Sequence, residues 1–85
     1  MNIYVSNIPF TLSEMELKNV FTRYGEVLSV KIIKDKQTGR SRGFGFVEME
    51  NEEEGLEAVE KLNGAELNGR ELKVKQAYPR EEQDR

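Results

Sequence analysis

Phe44 and Phe46 stand two residues apart in the run RGFGFVEM, residues 42 to 49, so an extended chain turns both rings to one side and Val47 and Met49 to the other. Tyr4 alternates with Ile3 and Val5 in the same way. By the same parity, Lys31, Arg42, Lys73 and Lys75 share their faces with these rings. Exposed rings interleaved with cations suit a chain of planar groups joined by anions. Bases stack on such rings for roughly 1 to 3 kcal/mol each, and lysine or arginine meets the phosphates between them. Duplex bases are already stacked and paired, which makes a single strand the natural ligand.

Other chemistries lack their actors. The sequence has no cysteine and no histidine, so it offers no disulfide, thiolate metal site, thiol nucleophile or imidazole base. No catalytic residue, metal site or cofactor is expected. Gly43 and Gly45 precede no helix and no Gly-Lys-Ser/Thr follows them, so they do not read as a phosphate loop; the close approach of a helix beneath the strand is the expected reason for both. No stretch reaches the 18 or so apolar residues of a membrane span, and the opening MNIYVSNIPF has no basic leader. A cytoplasmic protein without membrane association is expected.

A net charge of −3 argues against capture of nucleic acid by bulk charge. The charges are segregated, however. Lys31, Lys34, Lys36, Arg40 and Arg42 crowd one stretch, while Glu50, Glu52, Glu53, Glu54, Glu57 and Glu60 crowd the next, and local sign decides what a surface attracts. The glutamates read as the solvated face of a helix.

The elements that must position the rings follow from periodicity. Residues 2 to 6 alternate as a strand ended by Asn7, Ile8 and Pro9. Ser13 and Glu16 have capping-box spacing, and Leu17, Val20, Phe21 and Tyr24 form a helical stripe before Gly25. Val27 to Ile33 reads as a second strand, with Val30 and Ile32 on one face and Ser29, Lys31 and Ile33 on the other. Asp35 to Ser41 is an exposed connection in which Gly39 can take a positive φ, its cations mobile and solvated. The third strand carries the phenylalanines. Asn51 caps a second helix with Gly55, Ala58, Val59 and Leu62 inward and Gly64 as its stop. Asn68-Gly69 is a tight-turn signal, and Leu72 and Val74 alternate with Lys73 and Lys75 in a fourth strand.

This order predicts an α+β fold, a ferredoxin-like α/β plait whose four-stranded antiparallel sheet carries both helices on one face. One domain is expected over residues 1 to 77, and residues 78 to 85 form a polar, flexible tail. Two helices cover one sheet face only. The other keeps its rings in the open, costly for a domain whose stability is on the order of 5 kcal/mol unless they bind something.

RGFGFVEM matches the octapeptide motif of RNA-recognition-motif domains at seven of eight positions, and IYVSNI from Ile3 to Ile8 resembles the companion hexapeptide. The resemblance spans residues 1 to 77 and is greatest to the short single-domain proteins of bacteria, including cyanobacteria. It implies that Tyr4 and Phe46 stack on successive bases, that Phe44 packs on the sugars between them, and that Arg42 meets a phosphate. It further implies roles for Lys36 and Arg40 in the connection between the second and third strands, and for Lys75 and Gln76 at the end of the fourth. Met49 departs from the motif's Phe or Tyr at a position facing the core, and Gly55 replaces the usual alanine, which weakens the second helix. The implied partner is single-stranded RNA, messenger RNA among the targets, with single-stranded DNA as an in vitro ligand. The implied actor is a monomer serving post-transcriptional regulation or RNA chaperoning.

Two other classes compete. A protein-interaction module of the same fold typically lacks the sheet aromatics, which are all present here. An acylphosphatase-like hydrolase needs an oxyanion-binding arginine after the first strand, and Ser6 to Leu12 contains none.

Overall fold

The computed structural model describes residues 1–39 and 41–77, with the backbone alone described at 41 and 42. Eight elements follow in order: β1 (Asn2–Ser6), α1 (Glu14–Thr22), β2 (Val27–Lys34), β3 (Ser41–Met49), α2 (Glu52–Leu62), β4 (Glu66–Leu67), β5 (Arg70–Glu71) and β6 (Lys73–Ala77). Strands β2, β3, β1 and β6 form one antiparallel sheet in that spatial order. The expected plait is present. Its addition is the two-residue ladder of β4 with β5, closed by Asn68 and Gly69 at φ 50° and 85°, both positive as a tight hairpin turn of mirror-image type requires.

Helix α1 starts where its capping box dictates: Glu16 N donates to Ser13 Oγ at 3.1 Å and Ser13 N to Glu16 Oε1 at 2.9 Å. It ends at Thr22, before Gly25, and Gly25 is not in the left-handed region. Asn51 caps α2 by accepting from Glu54 N at 2.9 Å. Leu17 and Phe21 of α1, and Ala58 and Leu62 of α2, are buried against Ile3, Val5, Val47 and Met49 of the sheet. Burial of these side chains, about 1.5 to 3 kcal/mol for each large one, holds the two layers together.

Three local details depart from simple alternation. A bulge between Val27 and Ser29 sets two β2 residues against one of β3, so Val27 is buried while Leu28 is 49% exposed. The helix beneath the strand is not what excludes a side chain at Gly43 or Gly45. Gly43 has φ 85°, and a Cβ on Gly45 would run into the backbone of Lys31 and Ile32 in the neighbouring strand. At Gly55, the Met1 side chain occupies the space that alanine would need, so the glycine serves close packing.

Both outer edges of the sheet are partly closed. Ile32 N on β2 donates to Glu14 Oε2 at 2.9 Å, and Val74 N on β6 donates to Asn63 Oδ1 at 3.0 Å. Each helix thus lends one side-chain acceptor to an edge strand.

Candidate nucleic-acid interface

The strand registers place Lys31 beside Phe46, Phe46 beside Tyr4, and Tyr4 beside Lys75, which makes one row across all four strands. A second row runs from Phe44 through Ser6 to Lys73. Gly45, Val5 and Val74 lie between the two rows, and the side chains of Val5 and Val74 point the other way, into the core. Parity alone produces this arrangement.

Tyr4 packs against both phenylalanine rings. Tyr4 lies 5.5 Å from Phe46 and 6.1 Å from Phe44 between centroids, at interplanar angles of 56° and 39°. These are the tilted geometries that ring quadrupoles favour. Lys75 Nζ stands 5.6 Å from the Tyr4 centroid, within cation–π range. Phe46 is 43% exposed and Tyr4 and Phe44 are half-buried, while Lys31, Lys73 and Lys75 are exposed. Faces of rings and heads of cations are therefore open to the same side.

A third row, Ser29, Glu48, Asn2 and Ala77, bounds the platform with an acid at one end. The opposite end leads into the connection after β1. There Ile8 N donates to Gly43 O at 2.8 Å, and Phe10 projects with the Arg70 guanidinium 5.5 Å from its ring centroid. Sequence periodicity missed this pair because Phe10 belongs to no stripe, and Arg70 reaches it only through the β4–β5 hairpin. A large ring directly after a proline, outside every periodic segment, was the available signal.

The remaining expected site residues divide. Gln76 pairs with buried Ile3, so its side chain leaves the sheet on the helix side and is not brought together with the rings. Its parity is opposite to that of Lys75, which leaves the backbone of Gln76 as the part that the strand end can offer a ligand. Lys36 is exposed in a turn ordered by Asp35, whose carboxylate accepts from Gln37 N and Thr38 N and whose carbonyl accepts from Gly39 N. From Asp35 to Gly39 the connection is thus an exposed, hydrogen-bonded turn. Arg40 lies outside the described residues, as do the side chain of Arg42 and residues 78–85, expected as a tail. Among the described residues, no cluster of acids is placed to hold a metal ion, and no helix is long and apolar enough to cross a membrane.

Fold and face together define a small α/β-plait domain with a ring-and-cation sheet surface. The chain belongs to the RNA-recognition-motif family, whose model matches residues 3–73. It is 52% identical over 81 residues to the candidate RNA-binding protein RbpA of the cyanobacterium Synechocystis, covering 95% of this chain and 80% of that one. Among solved structures it is similar to RNA Binding Protein PG1, with a TM-score of 0.89 and 48% identity over 93% of this chain and 95% of the other. It also resembles the Rna15 domain solved with bound RNA (GU), with a TM-score of 0.83 and 33% identity over 92% and 83% of the two chains.

Proposed function

We propose that this domain binds single-stranded RNA across the open sheet face and is a binding protein, not an enzyme. The observation that carries the reading is the continuous row of Lys31, Phe46, Tyr4 and Lys75, which alternates cation, ring, ring, cation across the sheet. Tyr4 and Phe46 take successive bases and Phe44 the sugars between them. Lys31, Lys73 and Lys75 meet phosphates, and Arg42, Arg40 and Lys36 extend those contacts along the connection between β2 and β3. The RNA-binding names of the relatives and the RNA held by the Rna15 structure support the ligand class. The domain acts as a cytoplasmic monomer on messenger RNA, as a post-transcriptional regulator or chaperone, and accepts single-stranded DNA in vitro.

The test is an amide chemical-shift titration with a mixed pool of short single-stranded RNAs, comparing the parent with Phe46→Ala. Saturable shifts should centre on Tyr4, Phe44, Phe46 and Lys73. The variant should remain folded and bind about 5-fold to 150-fold more weakly. Equal affinity of parent and variant would refute stacking at Phe46, and an absence of shifts at low salt would redirect the search to a protein partner.

A further inference from the structure

Phe10 is 67% exposed, more open to solvent than any ring of the sheet platform. A domain with few large apolar residues leaves such a ring this open at a cost, and among the described residues none buries it. Its surroundings are built, however. Asn7 Nδ2 donates to Glu71 O at 2.7 Å and Asn68 Nδ2 to Thr11 Oγ1 at 3.3 Å, so the β4–β5 hairpin is tied to the connection that carries Phe10. Those ties hold Arg70 at the ring.

Phe10 also lines a cleft of about 720 Å³ together with Leu12, Ile32, Lys34 and Gly39. This falls within the range of roughly 300 to 1,000 Å³ typical of small-ligand sites. The acid on its wall, Glu14, has a carboxylate oxygen engaged with Ile32 N. Two cations belong to these surroundings: Arg70 of the hairpin at the ring, and Lys34 of β2 among the residues that line the cleft. The site is also continuous with the platform, since a Cβ on Gly43 would lie 3.7 Å from the Phe10 ring and Gly43 directly precedes Phe44.

We infer that Phe10 and Arg70 form a further nucleotide station beyond the sheet. One additional base of the same strand stacks on the Phe10 ring at the mouth of the cleft, and its phosphate meets the Arg70 guanidinium. The inference rests on the reading of the sheet face as an RNA platform. It assigns the domain a longer footprint than the two or three bases that sheet aromatics stack. Continuity with the rings, Arg70 at the ring and Lys34 in the cleft favour a nucleotide over an apolar peptide, which would use the ring without needing any of them.

The experiment measures binding of a trinucleotide and of an oligouridine of about eight nucleotides to the parent and to Phe10→Ala, Phe10→Leu, Phe10→Tyr, Arg70→Ala and Phe46→Ala. Phe10→Ala should weaken the longer RNA by about 5-fold to 150-fold and leave the trinucleotide unchanged. Phe10→Tyr, which keeps a π-face, should bind like the parent, whereas Phe10→Leu should behave like alanine. Arg70→Ala should weaken the longer RNA and lessen its salt dependence. Rescue by leucine, or equal loss for both RNAs, would overturn the station. If Phe46→Ala weakens both RNAs while Phe10→Ala weakens neither, the station fails alone, and the cleft is left to a partner such as an apolar peptide. If Phe46→Ala weakens neither, the platform itself is wrong, and the station falls with it.

Discussion

Phe21 and Phe46 are the same side chain in opposite settings. The first is fully buried beneath the sheet, the second 43% exposed above it, and only strand or helix parity tells them apart. The glycine between the two ring-bearing residues of β3 is just as specific. A methyl group on Gly45 would meet the backbone of Lys31 and Ile32, so β2 would have to move away from β3 at the point where Lys31 stands beside Phe46. Gly45→Ala should therefore destabilise the domain by about 1 to 3 kcal/mol, the usual cost of overpacking, read as a lower denaturant midpoint at unchanged m-value. The surviving folded fraction should also bind RNA more weakly. Unchanged stability would mean that β2 yields freely. The glycines at 43 and 45 were legible as positions of special need, but the need itself was not. A positive φ and a neighbouring strand's backbone are properties of the assembled sheet, and one strand's sequence does not contain its partner.

At the scale of elements, the helices, the four sheet strands and the face each strand buries could be read from period and caps, because Ser13, Asn51 and the alternations around Ile3, Val47 and Val74 act locally. The bulge at Val27 to Ser29 could not, since β-branched residues fit either side of a half-buried strand. The edge closures were equally silent: Glu14 and Asn63 look like ordinary helix-end residues until they reach β2 and β6. Asn63→Ala removes the acceptor of Val74 N, and stability should fall by about 1 kcal/mol, with Asn63→Asp recovering most of it. Combined with Glu14→Ala, it leaves an unmatched amide on both edges. Light scattering should then show mass rising with concentration more steeply than for the parent. A double variant that scatters like the parent would show that the edges need no such protection.

For the whole molecule, net charge misleads. Lys31, Lys73 and Lys75 stand on the open sheet face, while Glu52, Glu53, Glu54, Glu57 and Glu60 are exposed on α2. An overall charge of −3 therefore coexists with a face that attracts anions. The logarithm of the RNA dissociation constant should rise linearly with that of salt concentration. Replacing Lys31 or Lys73 with alanine should each lower the slope by roughly 0.7, the share of one single-strand phosphate contact. An unaltered slope would remove that lysine from the phosphate path. The segregation was visible in the sequence as two adjacent blocks of charge; that Lys31 of the first stands on the open sheet face while the glutamates of the second lie on α2 in the other layer required the fold.

The packing of Tyr4 against both Phe44 and Phe46 bears on ligand choice. With Tyr4 packed 5.5 Å from Phe46 and 6.1 Å from Phe44, these side chains have less freedom left to lose, so in the proposed binding mode more of the ordering cost falls on the RNA. Strands whose bases stack strongly on each other must first come apart, whereas weakly stacked pyrimidine runs arrive ready to be laid across the rings. The proposed platform should thereby convert differences in the stiffness of its ligands into a preference among them, read as tighter binding of oligouridine than of oligoadenosine, without a hydrogen bond to any base edge.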